Sequence, residues 1–423
     1  MFGGVGKPAG WATILVAGGL VLGGSVTANA ADFGGDCCAD LEERVAELEA
    51  TTARKGNRKV SLEIYGWVNE AVTWWDDGAE SNVYVGTNTL EQTRFGFKGK
   101  AKIDGDLEAG YKIEIGLSDG GNDKYTQDYE DISGGFKLRK SYWYLKSKKY
   151  GEVAVGLNGT ATYHAIDDAD ATNTRNVSDY QAPGAYMGGF IDPASGLAWS
   201  TILRGWDGNS VGQSSRKNVV KYTSPTFAGF QVSAAWGEDD LWDAAVDYEG
   251  KVGVFSITAK GGYGVSTEPS VTKCGGPNGD FKCEWFGAGA TIMHDPTGLY
   301  VFGGYGWQQV DQIGALGYDD TSTSWYIQPG IEKQWFALGK TTIFGEYRHD
   351  EAGASLGTDS STPKTYGADV DFWAGGVVQK IDAASMDLYA MYRHAEGDYK
   401  DTATTSKSLD DFDMVITGAR IQF

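Results

Sequence analysis

From Val60 to Phe423, apolar side chains recur mostly at every second position. The stretch TRFGFKGKAKIDGDLEAGYKIEIGL, Thr93–Leu117, shows this most plainly. Phe95, Phe97, Ala101 and Ile103 alternate with Arg94, Lys98, Lys100 and Lys102. Beyond Asp104-Gly105-Asp106, the residues Leu107, Ala109, Tyr111, Ile113, Ile115 and Leu117 alternate with Glu108, Lys112 and Glu114. A period of two puts alternate side chains on opposite faces of a strand. An Asp-Gly turn between two such runs predicts a hairpin. Each run is about ten residues or slightly more, the length a tilted strand needs to cross a bilayer. One apolar and one charged face, repeated, predict a closed sheet with hydrocarbon outside and water inside.

The same pattern predicts an all-β fold, a 16-stranded antiparallel transmembrane β-barrel over residues 59–423. The first strand runs near 60–74, with Leu62, Ile64, Val68 and Val72 on one face. The fourth, near 137–147, is expected to turn Leu138, Tyr142 and Tyr144 to the lipid, and the fourteenth carries Val370, Phe372, Ala374 and Val378. The last ends in Val415–Phe423. Seven connections are short and turn-like, and the intervening ones are longer and polar. That asymmetry assigns the short turns to the periplasm and the long loops to the exterior. Residues 158–217 form a long third external loop with little alternation, a length that signals function or disorder.

Residues 1–30 read as a signal peptide: Lys7, the apolar run Trp11–Leu22, then Ala28-Asn29-Ala30 as a small-x-small cleavage site. Residues 31–58 read as a short helix, with Cys38, Leu41, Val45, Leu48 and Thr52 at heptad spacing and Asp40 and Glu43 as a capping pair. Two heptads are too few to be stable alone. The helix either forms a coiled coil with neighbouring copies or packs on or plugs the barrel.

Composition narrows the function. The net charge of −21 argues against a nucleic-acid partner. Four histidines, no G-x-S-x-G elbow, no metal-ligand cluster and no phosphate loop give no catalytic residue, no metal site and no cofactor. The cysteines fall into two pairs, Cys37/Cys38 and Cys274/Cys283. In an exported chain, Cys274–Cys283 is expected to be a disulfide closing a small external loop, and Cys37/Cys38 has no simple reading.

Four segments carry a family resemblance: LEERVAELEATTARKGNRKVSLEIYGWVNEAVTWWDDG, RFGFKGKAKIDGDLEAGYKIEIG, SYWYLKSKKYGEVAVGLNGTAT, and the terminal Phe423 with Ile421 and Val415. With these, the chain resembles the trimeric general porins of Gram-negative outer membranes, most closely the alphaproteobacterial branch. The resemblance covers essentially the whole mature chain. It implies a homotrimer embedded in outer-membrane lipid and lipopolysaccharide, a third external loop folded into the lumen, and loop acids facing a basic wall. The implied activity is passive diffusion of ions and small hydrophilic solutes. A substrate-selective pore for sugars or anions, or a pore that also tethers the membrane to peptidoglycan through the N-terminal helix, are the alternatives.

On that pattern, Asp167, Asp168 and Asp170 of the loop, beside His164, oppose Arg94, Lys98, Lys100, Lys112 and Arg139 of the second to fourth strands at the pore constriction. Glu63, Glu114, Glu346, Arg348 and Arg393 read as general lumen lining. Trp67, Trp74, Trp75, Tyr142, Tyr144, Trp236, Trp307 and Tyr392 are candidates for interfacial aromatic girdles.

Overall fold

The computed structural model describes residues 59–117, 121–128, 135–204, 211–237, 240–267, 282–356 and 362–423. The expectations for residues 1–58 and for Cys274 lie outside them. Alternation builds one antiparallel sheet. Its strands are β1 (Glu63–Asp76), β2 in two segments (Ser81–Thr87 and Arg94–Lys102), β3 (Leu107–Leu117), β4 (Phe136–Ser147), β5 (Gly151–Gly159), β6 (Arg216–Thr223), β7 (Phe230–Gly237) and β8 (Leu241–Val252). They continue with β9 (Phe255–Ser266), β10 (Cys283–His294), β11 (Leu299–Val310), β12 (Thr321–Phe336), β13 (Gly339–Ala352), β14 (Gly367–Ile381), β15 (Met386–Lys400) and β16 (Phe412–Gln422).

Each strand pairs with the next, and β16 pairs back onto β1 from Trp67↔Gln422 to Asp76↔Asp413. Closure leaves no free edge of the kind that aggregates or faces lipid unpaired. The barrel has 16 strands. The sheet contains 18 segments, but the two parts of β2 share one partner and Ser406–Ser408 is a short flap on β15. The upper part of β2 pairs with β1 at Glu70↔Thr87 and the lower at Trp67↔Arg94, so residues 88–93 interrupt one strand. The sequence reading began this strand at its lower part and missed residues 81–87.

The side chains on the outer face of the barrel are oily: Ile64, Val68, Val232, Trp236 and Val301 are all exposed in the isolated chain. That is the surface a hydrocarbon solvent requires.

Two readings of face need correction, and one further strand carries its apolar row inside. On β4, Leu138 points out, but Tyr142 and Tyr144 point inward and Trp143 and Leu145 are exposed instead. The register shifts between Glu114↔Lys140 and Ile115↔Leu138, leaving Arg139 as an extra residue, and a bulge reverses the parity of everything beyond it. On β1, Trp67 and Trp75 share parity with Asn69 and Thr73, both buried, and lie inside, so neither belongs to an outer girdle. On β14, Val370, Phe372 and Val378 are buried in the interior, whereas Trp373 is half exposed outside.

The inward apolar residues meet the long loop. Residues 160–204 and 211–215 enter the barrel as short turns with α1 (Ala182–Met187) and α2 (Trp199–Ile202). Phe190 of the loop packs 4.9 Å from Trp75 and 5.1 Å from Phe412, and Trp199 packs on Phe412. Such aromatic pairs add about 0.5–1.5 kcal/mol each beyond their area burial. Bare wall positions make room: at Gly289 a Cβ would sit 2.5 Å from the Ile166 carbonyl, and at Gly306 it would collide with the Tyr180 hydroxyl.

Candidate functional site

The loop is pinned at its neck. Asp243 on β8 accepts from the Ala161 and Thr162 amides at 2.9 and 2.8 Å and from the Thr162 hydroxyl at 2.6 Å. Ala169 O accepts from the Thr291 hydroxyl at 2.6 Å. Across the barrel, Glu346 accepts from Ser178 and pairs with Arg393 at 2.9 Å. Arg348 donates to the Tyr180 carbonyl and pairs with Asp350 at 2.7 Å. Asn69 and Asn88, joined through the Tyr389 hydroxyl, donate to Asn176, and Asn88 accepts from Tyr186. Glu346, Arg348 and Arg393 are therefore buried anchors beneath the loop, not exposed lining. Their burial is tolerated because each charge has a partner.

The less covered wall runs from β2 to β6, where Lys137 is exposed and Lys112 and Lys140 are half-buried, while Arg94, Glu114 and Arg139 are themselves buried. Its hub is Glu114 on β3. Glu114 accepts from Tyr65 at 3.0 Å and Arg139 at 3.1 Å, with Lys112 at 3.6 Å and Arg94 at 3.7 Å. Arg94 stacks over Trp67 at 4.4 Å and lies 3.7 Å from Glu91. Arg139 donates to Gln92 at 2.7 Å. From the loop side, Tyr163 approaches this wall: Arg216 donates to its hydroxyl at 3.1 Å and Lys140 lies over its ring at 5.5 Å. A cavity of about 210 Å³ lies between them, lined by Arg94, Lys137, Arg139, Arg216, Tyr163 and His164 among others. Cations outnumber carboxylates here, so an entering solute meets positive potential in a confined space.

The structure brings together Arg94, Lys112 and Arg139 and separates the other two wall candidates. Lys98 pairs with Glu63 at 2.8 Å, and Lys100 lies 3.7 Å from Glu108, both toward the short-turn end.

Among the described loop acids, Asp168 alone is exposed. It pairs with Lys260 at 2.8 Å and Arg175 at 3.1 Å. Burial raises the Asp168 carboxyl, but Lys260, His164 and Arg175 outweigh it and leave it lowered. Asp167 is buried and organises the loop: it accepts from the Tyr180 amide at 2.9 Å, from Gln213, and from His164 at 3.1 Å. Asp170 accepts from the Thr172 amide and hydroxyl at 2.7 Å and from Thr174 at 2.8 Å. Burial pushes its carboxyl up to about 6. Asp167 and Asp170 are thus structural.

Sequence reasoning missed Glu91, Tyr163, Arg175, Arg216 and Lys260. Four of them lie in or beside segments without alternation. Lys140 was hidden by the bulge. The parity of Lys260 on β9 was the one available signal. Cys283 is disulfide-bonded at the start of β10, at the long-loop end of that strand.

A model of the Gram-negative porin family matches residues 12–410. Outer membrane porin protein 32 of Delftia acidovorans is 25% identical over 199 residues, 46% of this chain and 48% of that protein. The match thus spans about half the length of that curated relative. An anion-selective porin from Comamonas acidovorans superposes with a TM-score of 0.54 over 86% of this chain and 100% of that one, at 14% identity. The trimer form of OmpT from Vibrio cholerae gives 0.52 over 86% and 99%, at 15% identity. OmpF of Salmonella typhi, solved with daunomycin, gives 0.53 over 86% and 98%, at 14% identity. These likenesses are of fold. The family model covers nearly the whole chain, and the chain belongs to the Gram-negative porin family.

Proposed function

We propose that this chain forms a water-filled channel for passive diffusion of ions and small hydrophilic solutes across the bacterial outer membrane, with small anions favoured at the constriction. The observation that carries the preference is the basic wall. Arg94, Lys112 and Arg139 share Glu114, and Arg216, Lys137 and Lys140 add charge beside it. Asp168 does not balance that wall, because Lys260 and Arg175 already hold it. A cation crossing beside this wall is repelled, and an anion finds donors on arginine forks and lysines.

The loop from residue 158 to 217 acts as the constriction. The protein works as a homotrimer, with lipopolysaccharide around it and the short helix of residues 31–58 at the periplasmic end. The resemblance of the N-terminal segment supports a position in the alphaproteobacterial branch. Residues 1–30 direct export. Cys274 and Cys283 close an external loop.

Planar bilayers with a potassium chloride gradient test this reading. Stepwise insertion in threes and a reversal potential toward the chloride equilibrium value are expected. No conductance refutes the channel, and a potential toward the potassium value refutes the anion preference.

A further inference from the structure

A sequence unit occurs twice near the end of the chain, and only its Arg has a place in the pore. It reads Tyr347-Arg348-His349-Asp350-Glu351 on β13 and Tyr392-Arg393-His394-Ala395-Glu396 on β15. In each copy, Arg points into the barrel and serves the anchoring network, while Tyr, His and Glu lie on the outer face. Each copy finds the same partners on the following strand. Asp371 Oδ1 accepts from the Tyr347 hydroxyl at 2.6 Å and faces His349 Nδ1 at 2.8 Å. Asp413 Oδ1 accepts from the Tyr392 hydroxyl at 2.5 Å and faces His394 Nδ1 at 2.9 Å. A further acid stands opposite each Glu, with Asp369 paired to Glu351 in the β13–β14 register. His349, Glu351 and Asp369 offer one ligand atom apiece within 4.8 Å of one another, and so do His394, Glu396 and Asp411.

The arrangement has a chemical direction. A carboxylate fixing Nδ1–H sets the tautomer and leaves Nε2 as a lone-pair donor, the outer-shell device typical of metal-bound histidine. In both copies Nε2 faces the Glu, at 3.6 Å from Glu351 Oε1 and 4.0 Å from Glu396 Oε2. Ligand atoms on a tetrahedral ion with bonds of about 2.1 Å stand ~3.4 Å apart, so small rotations close each set. A polar cavity of about 270 Å³ opens over the first copy, lined by Glu351, Asp369, Asp319, Thr321, Thr323 and Lys400. The sites sit at the long-loop ends of their strands, where water meets the outer leaflet: each histidine is level with an exposed aromatic, Trp325 opposite His349 and Trp373 opposite His394, and the carboxylates lie just beyond. They were invisible as a motif because the second carboxylate comes from a neighbouring strand.

We propose that each copy binds one first-row divalent transition ion, of the Zn²⁺ or Co²⁺ class, through His Nε2 and two carboxylates. The ligand sets are His349/Glu351/Asp369 and His394/Glu396/Asp411. One imidazole and two carboxylates suit these ions better than Mg²⁺ or Ca²⁺, which take oxygen alone. With three protein ligands, each ion keeps an open position toward the exterior. This inference does not depend on the pore's selectivity.

Calorimetric titration of the detergent-purified full chain with Zn²⁺ tests it. The measured quantity is the difference in equivalents bound by wild type and variants, so binding elsewhere cancels. His349→Ala and His394→Ala each lose one equivalent, and the double variant loses two. Asp371→Asn and Asp413→Asn each weaken their own site by about 10–100-fold. Heat-modifiable gel mobility and unchanged single-channel conductance establish that the variants are folded. Equal stoichiometry in wild type and the double histidine variant overturns the proposal. So does full displacement of Zn²⁺ by equimolar Ca²⁺, which would mark a merely acidic rim.

Discussion

The two halves of the lumen wall are built from the same inward alternation and do opposite work. On the β2–β6 side, Arg94 and Arg139 keep about a tenth of their side-chain surface and Lys112 a quarter, and all three share Glu114. On the β13–β15 side, Arg348 and Arg393 keep 1% and 2%, and each has a carboxylate of its own. The polar face alone does not distinguish them. The loop does, by covering one wall and leaving the other wet. A charge matched one-to-one and dried beneath a loop is structural. Charges that outnumber their counter-ion beside water set a field.

Disturbing the wet wall should change selectivity most. Replacing Lys112, Lys140 and Arg216 together by Gln should lower the anion-to-cation permeability ratio about fivefold, the size of a ~1 kcal/mol Coulomb term in water. Reversal potentials check it, and the melting temperature should barely move. The dry wall should respond in the other sense. Glu346→Gln leaves Arg393 buried without its partner and should cost about 3–5 kcal/mol locally. Faster hydrogen exchange over residues 173–190 checks this, and selectivity should change little until the loop detaches.

A smaller effect lies inside the loop. Burial holds the Asp170 carboxyl at about 6, above its ordinary 3.8. The folded loop therefore binds this proton more tightly than the unfolded one. The stabilisation is fully present below about pH 4 and is lost as pH rises through 6. Amide protection around residues 170–177, corrected for intrinsic exchange, should fall between about pH 4 and 6. Asp170→Asn should flatten that dependence.

The barrel was legible because a closed sheet demands strict parity: every barrel strand but the upper half of β2 showed alternation, although on β14 the apolar row that showed it is the inner one. Residues 81–87 escaped because the mostly polar residues 88–93 break their continuity with Arg94. Parity also held the clue to Trp67 and Trp75, which share Asn69's face and not Val68's. The bulge at Arg139 is a matter of pairing, and pairing needs the partner strand. The candidate site was half legible. Wall cations follow from parity, but which of them stay wet depends on where the loop lies. Asp167 and Asp170 differ from Asp168 only in contacts with Tyr180, Gln213, Thr172 and Thr174, which no local pattern reveals.

The contrast between wet and dry walls can be probed by single thiols. Lys140→Cys places a thiol on the less covered wall. Ser324→Cys places one on β12 beneath the loop, where Ser324 is fully buried. A charged, membrane-impermeant thiosulfonate added to a bilayer recording should cut the current quickly through the Lys140→Cys channel. It should leave wild type and the Ser324→Cys channel unchanged. Equal reaction at both positions, or reaction at position 324 alone, would contradict the account.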